Sequence, residues 1–206
     1  AGGCQAPGAP CGPPAERVRG DVGRRPLRIG AVRIIAGRWR GHGLKPLKAR
    51  GVRPTTDRVR EAWMSALGDR VRGAAVLDLF AGSGALGLEA LSRGAESVIF
   101  VERARGALGV LRANIELLGA GEQCTVIDRD VFRYLSGPVE GFDVALADPP
   151  YSGGAARTLV ERWTQNPFAR ELWLEHPWRE QLPLPEGSRT RRYGDTALST
   201  LTAPER

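Results

Sequence analysis

The sequence predicts an α/β protein built on a doubly wound, mostly parallel sheet. Three observations predict it. From residue 74 onward, short apolar runs alternate with stretches whose apolar residues recur at helical spacing. The first of these runs, Ala75-Val76-Leu77-Asp78-Leu79-Phe80, leads into a glycine-rich turn and then a helical pattern. The last two runs flank Gly194-Asp195 and read as an antiparallel hairpin.

The elements follow in order. Residues 1–31 are rich in Gly, Pro, Ala and Arg without periodicity, and are expected to be a disordered tail or a start-site artefact, since the chain begins with Ala1 and its only methionine is Met64. Val32–Ile35 reads as a short strand, with Gly37, Gly41 and Gly43 supplying turns. A helix is expected from Thr56 to Leu67, capped by Thr55, Thr56 or Asp57 after Pro54 and ended by Gly68. Val59, Trp63 and Leu67 share its inner face, and Arg58, Arg60 and Glu61 are assigned to the opposite one. Strands follow at residues 75–80, 97–101, 124–127 and 142–147, with helices through Ser92 and from Arg105 to Leu118. A helix near 155–164, a strand near 171–175 and the hairpin strands 190–193 and 197–202 complete the chain.

Length and composition exclude several classes. The 206 residues suit one domain with a small appendage, and 42% hydrophobic with 26% charged residues describe a globular chain. The longest apolar runs, such as Val144–Ala147, fall far short of a bilayer span. Cys4, Cys11 and Cys124 form neither an even disulfide set nor a CxxC pair, which argues against a disulfide framework and a zinc site and fits a reducing, cytoplasmic setting. No metal is expected. His42, His176 and Cys124 have no partner in the pattern and are read as surface or packing residues.

Charge is distributed unevenly. The net +7 divides into +11 over residues 1–60 and −4 over the remainder, and arginine outnumbers lysine 28 to 2, as in a GC-rich genome. A basic front on a mildly acidic body suggests a polyanion-binding lobe beside a different kind of site. Its candidate RNA-binding residues are Arg33, Arg38, Trp39, Arg40, Lys45 and Lys48, where cations can neutralise phosphates and the indole can stack on an unpaired base.

Two motifs carry chemistry. The run Asp78–Gly87 places Phe80, Ala81, Gly82, Ser83 and Gly84 between a strand and a helix, where a tight turn and free N–H groups can approach a ligand. Gly82 to Gly87 also satisfies GxGxxG, so a dinucleotide site competes with an S-adenosyl-L-methionine site. Glu102, 20 residues after Gly82, can accept both hydroxyls of a ribose in either case, whereas Asp78 favours the methyl donor because it can receive an ammonium. The second motif decides: Asp148-Pro149-Pro150-Tyr151 follows the apolar strand at the carboxyl edge of the sheet. The prolines fix the backbone, Asp148 and a main-chain carbonyl can hold the N–H bonds of an exocyclic amine, and Tyr151 can stack on the ring.

Together Arg33–Gly41, the segment Arg53-Pro54-Thr55-Thr56-Asp57-Arg58-Val59-Arg60-Glu61, Asp78–Arg93, Asp148–Tyr151 and Tyr193–Leu198 resemble the RsmD family, bacterial 16S ribosomal RNA guanine-N2 methyltransferases, over residues 32–202. The resemblance implies a class I S-adenosyl-L-methionine-dependent methyltransferase fold. That is a Rossmann-like, doubly wound, seven-stranded mostly parallel sheet with a C-terminal antiparallel hairpin. It also implies a basic N-terminal β-hairpin extension at residues 32–54, ahead of a methyltransferase domain at 55–206, that meets rRNA. By similarity Asp78, Gly82 and Gly84 bind the methionine part and Glu102 the ribose, Asp130 lies near the adenine, and Arg53 and Thr55 lie near the cofactor. Residues 1–31 have no counterpart, consistent with translation from Val32. The implied partner is 16S rRNA in the small ribosomal subunit or its assembly intermediate, acted on by a monomer. The competing readings are a DNA adenine-N6 or protein glutamine-N5 methyltransferase, or a silent RNA-binding assembly factor. The glutamine enzymes usually carry Asn in place of Asp148, and the intact Asp78, Glu102 and Asp148 set speaks against the silent factor.

Overall fold

The structure is a computed structural model that describes residues 32–47 and 57–204, with side chains from residue 59 in the second stretch. The expected tail 1–31, Lys48, Arg53 and the helix-capping residues Pro54 to Thr56 lie outside the described residues.

Helix α1 (Asp57–Leu67) passes through a single 3-10 turn into β1 (Ala75–Leu79), followed by α2 (Ala85–Ser92) and β2 (Ser97–Glu102). Then come α3 (Arg105–Leu117), β3 (Cys124–Asp128), the short α4 (Val131–Tyr134) and β4 (Val144–Ala147). The chain closes with α5 (Ala155–Gln165), β5 (Glu171–Pro177), β6 (Arg189–Tyr193) and β7 (Thr196–Thr202). The seven strands form one sheet in the order β3-β2-β1-β4-β5-β7-β6. Strands β1 to β5 run parallel, and β7 inserts antiparallel between β5 and β6. This is the expected doubly wound sheet with its closing hairpin, and the order reverses between β1 and β4, where such sheets open a crevice at their carboxyl ends.

Both faces of the sheet are covered, which is why the central strands read as unbroken apolar runs. Val76, Phe100, Leu146 and Trp173 pack with Trp63, Met64, Leu88 and Leu111 on one face. Leu77, Val101, Ala145 and Leu174 pack with Leu159, Val160 and Trp163 on the other. Among the described residues no helix is long and apolar enough to cross a membrane.

Two expectations are corrected, those for Arg60 and His176. Arg60 is not on the solvent face of α1: it is 1% exposed, because Arg60, Met64 and Leu67 fall at i, i+4 and i+7 on the stripe that meets the sheet. Among the described residues the N-terminal segment folds back on itself: Arg33 and Gly43 form an antiparallel bridge, with Leu44 N donating to Val32 O at 2.7 Å, Ile34 N to His42 O at 2.9 Å and Gly41 N to Ile34 O at 2.9 Å. Its next amides turn to α2. Ile35 N and Ala36 N donate to the Glu89 carboxylate at 2.7 and 3.0 Å, and Arg38 N and Trp39 N donate to Ser92 O and Oγ at 2.8 and 3.0 Å. Ile34 and Leu44 are buried in the core beneath this segment. Gly37 makes the docking possible: at φ +82° it lies so close that a Cβ would stand 1.7 Å from Ser92 O. Finally, His176 lies within β5 rather than after it, 3% exposed and 2.8 Å from Ser199 Oγ through Nε2, and burial pushes its imidazole pKa down. Cys124 is half-buried, and desolvation raises its thiol to about 11.

Candidate active site

The glycine-rich turn is held from three sides. Phe80, directly after β1, adopts φ 58°, an uncommon conformation for a residue with a Cβ, and its ring meets Phe132 edge-on with centroids 6.0 Å apart. Gly84 N closes the turn on Ala81 O at 2.7 Å, and the Glu102 carboxylate at the end of β2 accepts Gly82 N at 2.9 Å. From below, Asp78 accepts Gly87 N at 2.9 Å. Gly87 is required for close packing, since a Cβ there would stand 2.4 Å from the Phe100 ring and 2.9 Å from Asp78 Oδ2.

The carboxylates gather at this edge. Asp78 is 1% exposed within β1, so its carboxyl lies under the turn rather than at an open strand end. Burial pushes its pKa well above the ordinary value; the Gly87 hydrogen bond opposes this, and the negative charges of Asp148 and Glu102 add to it. Glu102 also accepts Arg103 N and Ala104 N, both at 2.8 Å, on Oε1. Asp130 caps α4 by accepting Phe132 N and Arg133 N, and its other oxygen lies 3.0 Å from Arg103 Nη1. That short helix was invisible to periodicity.

On the far side of the crevice, Asp148 is half-buried directly after β4, Pro149 is buried and Pro150 exposed. Tyr151 is 49% exposed, yet its hydroxyl is fixed, 3.0 Å from Glu175 Oε1 on β5 and 2.9 Å from Thr196 Oγ1 on β7. Desolvation raises the phenol to about 12, so it stays protonated. Pro149, Pro150, Tyr151, Glu175 and His176 line a cleft too narrow to admit a water molecule. Among the described residues no cluster of His, Cys, Asp and Glu could hold a metal ion.

The predicted residues thus fall in two places. Asp78, Phe80 to Gly84, Glu102, Asp130 and Asp148 to Tyr151 meet at the carboxyl edge. Lys45 reaches the same edge through Asn114, whose Oδ1 accepts Lys45 N at 2.7 Å and whose Nδ2 donates to Ser83 O at 2.9 Å. Arg38, Trp39 and Arg40 do not: they sit at the end of α2, and Arg38 bonds Gln123, just before β3. That is the amino edge, about 15–20 Å away along strands of five or six residues. The guanidinium of Arg38 stacks on Trp39, 3.7 Å from the ring centroid. Arg33 is exposed on the segment between.

Sequence reasoning missed Glu89, Asn114, Glu175 and Thr196. Three of these had a visible signal. Glu89 is the one charged residue of the apolar helix Ala85–Ser92, Glu175 interrupts the apolar strand Glu171–Pro177, and Asn114 interrupts the inner stripe of α3; all three are buried. A buried polar side chain requires partners, and here those partners assemble the site.

The chain has relatives in both sequence and fold. A ribosomal RNA small subunit methyltransferase D from Escherichia coli is 41% identical over 157 residues, 75% of this chain and 79% of its own. Its counterpart from Haemophilus influenzae is 40% identical over 144 residues, 68% of this chain and 75% of its own. The solved structure of a hypothetical protein from Thermus thermophilus superposes with a TM-score of 0.72 at 33% identity, covering 84% of this chain and all of that one. The family described as Conserved hypothetical protein 95 matches residues 32–200, so the chain belongs to that family, the RsmD family its motifs resemble.

Proposed function

We propose that the protein is an S-adenosyl-L-methionine-dependent methyltransferase that methylates the exocyclic N2 of a guanine in 16S rRNA, in the small ribosomal subunit or an assembly intermediate. The observation that carries the reading is the convergence at one sheet edge of Glu102, which holds the glycine-rich turn at Gly82, Asp78, which holds it at Gly87, and Asp148, whose charge with that of Glu102 reaches the buried Asp78. Such a cluster is uncomfortable alone and suits a cationic ligand. The fit is specific at Glu102: its Oε2 accepts one N–H in the structure and retains a lone pair for a ribose hydroxyl. When bound, the cofactor supplies a methyl group on a positively charged sulfur.

The chain's own residues do the rest. Gly82, Ser83 and Gly84 let the backbone approach the ligand, Asp78 supports them from beneath and balances positive charge, and the Phe80 and Phe132 rings and Asp130 line the direction of the adenine. Arg53 and Thr55, outside the described residues, are assigned near the cofactor by family resemblance alone. A guanine splayed from an RNA loop stacks on the Tyr151 ring. Asp148 and the Pro149 carbonyl accept its two N2 hydrogens, which turns the nitrogen lone pair toward the methyl carbon. A bound S-adenosyl-L-methionine would supply the methyl group to N2 and leave as the neutral thioether, and Asp148 or water would take the proton that N2 releases. Positioning provides most of the rate.

The test is Asp148→Ala. It keeps cofactor binding by calorimetry and loses methylation of 16S rRNA by orders of magnitude, and digestion of the wild-type product yields N2-methylguanosine. Turnover near wild type in the variant overturns the role of Asp148, and label found only in DNA or protein overturns the substrate.

A further inference from the structure

The N-terminal basic residues at the amino edge lie too far from Tyr151 to hold the nucleotides next to the target. A second basic and aromatic surface lies at the right place. Strand β6 is the outermost strand of the sheet, and its sequence, Arg189-Thr190-Arg191-Arg192-Tyr193, holds three arginines and no acid. The first four residues are exposed, and no acidic side chain among the described residues pairs with these arginines. Strand register puts Arg191 in one row with Leu198 and Glu175, the residue that holds the Tyr151 hydroxyl. Two interstrand steps separate Arg191 from Glu175, about 10 Å. Arg189 shares that face at i and i+2, about 7 Å along the strand, which is close to the spacing of adjacent phosphates in a nucleic-acid strand.

The aromatic component is Trp178, 41% exposed just after β5. Its backbone N donates to Asp195 O at 2.8 Å, and the next residue, Thr196, bonds the Tyr151 hydroxyl. Two exposed rings are therefore fastened to consecutive residues of one turn. Arg192 is fixed over the Trp178 ring, 5.1 Å from its centroid, while Arg192 Nε donates to Gly194 O at 2.7 Å. Arg189 and Arg191 on one face of the edge strand, with Arg192 and the exposed Trp178 ring on the other, have the composition of a single-strand binding surface wrapped round an open edge, where cations follow the backbone and a ring accepts a base. Charge on a free edge also discourages pairing with a second copy, and the two roles differ in their dependence on salt.

We infer that Arg189, Arg191 and Arg192 on β6, with Trp178, form a second RNA-binding surface that grips the single-stranded RNA flanking the nucleotide at Tyr151. This rests on the reading of RNA as the substrate. The phosphates meet the arginines, and a neighbouring unpaired base stacks on Trp178.

The test uses the full chain and deproteinised 16S rRNA, with binding and methyl transfer measured separately. The triple variant R189A/R191A/R192A should bind rRNA more weakly, with a plot of log affinity against log salt shallower by about 2, since each phosphate neutralised on a single strand contributes ~0.7 to the slope. Trp178→Ala should weaken binding about tenfold with the wild-type salt slope, and Trp178→Phe should recover most of it. Calorimetry with S-adenosyl-L-homocysteine is the control for folding and should be unchanged. Wild-type affinity and slope in the triple variant overturn the inference. So does a defect seen only on assembled 30S particles, which would identify a ribosomal protein as the partner. If the wild type binds rRNA through these residues but transfers no methyl group to 16S rRNA, whether free or in 30S particles and their assembly intermediates, the surface stands and the catalytic reading falls.

Discussion

Glu89→Ala should unpin the N-terminal segment from the methyltransferase sheet, and the structure sets the size of the effect. The Glu89 side chain is fully buried in α2 and accepts three hydrogen bonds: Ile35 N at 2.7 Å, Ala36 N at 3.0 Å and Arg93 Nε at 2.8 Å. Alanine leaves two backbone amides without this acceptor, at about 1–3 kcal/mol each. Both amides are only half-buried, and Arg93 is 19% exposed, so water recovers part of the loss. The expected net cost is about 3 kcal/mol, at the low end for breaking a buried ion pair. That is a substantial part of a domain's total of roughly 5–15 kcal/mol. For a domain of this size it lowers the melting temperature by about 6–12 °C. Urea unfolding followed by circular dichroism measures the loss, and hydrogen exchange reports the Ile35 and Ala36 amides directly. Glu89→Gln should be intermediate, because its amide keeps one acceptor and presents a donor where an acceptor is needed. A loss below ~1 kcal/mol with both amides still protected would refute the pinning role.

Two further predictions concern backbone fit and charge. Gly37→Ala should lift the docked turn off α2, since its Cβ meets Ser92 O at 1.7 Å and the residue must keep φ +82°. The left-handed backbone alone costs about 1–2 kcal/mol, and trypsin should cut at the exposed Arg38 several-fold faster; an unchanged cleavage rate contradicts the docking. Asp78→Asn should make stability less dependent on pH. The carboxyl pKa is raised in the fold, chiefly by burial, so its contribution is present below the ordinary value near 4 and is lost as pH rises. Urea midpoints between pH 4 and pH 8 should therefore fall more steeply for wild type than for the variant, while the variant binds the cofactor more weakly; a steeper fall in the variant reverses the argument.

The sheet and its motifs were legible because they are repetitive or conformationally demanding. Runs such as Ala75–Leu79 and Val144–Ala147 are apolar on both faces, and the turn at Gly82–Gly84 and the prolines after Asp148 leave few backbone alternatives. The positions that failed share one cause. Arg60, Glu89, Asn114 and Glu175 are polar residues whose burial depends on partners distant in the chain: Glu89 meets a residue 54 positions away, and Asn114 one 69 positions away. Periodicity can register that such a residue interrupts an apolar stripe, but only the folded topology supplies its partner. The same holds for the docking of the N-terminal segment: its glycines make the turn readable, but only the fold brings its amides to Glu89 and Ser92 on α2.

Asn114 has a consequence of another kind. One fully buried amide holds the main chain at Lys45 and the carbonyl of Ser83 in the glycine-rich turn. The basic segment and the ligand turn therefore share a mechanical joint, and neither can move without changing the hydrogen bonds of the other. Order imposed at Ser83 is transmitted to Lys45. Any free energy by which a ligand in the turn favours RNA on the segment must be returned in full by RNA to that ligand. Asn114→Ala would release the joint and make the two affinities independent, so the enzyme would meet its two substrates as strangers rather than in a mutually assisted order.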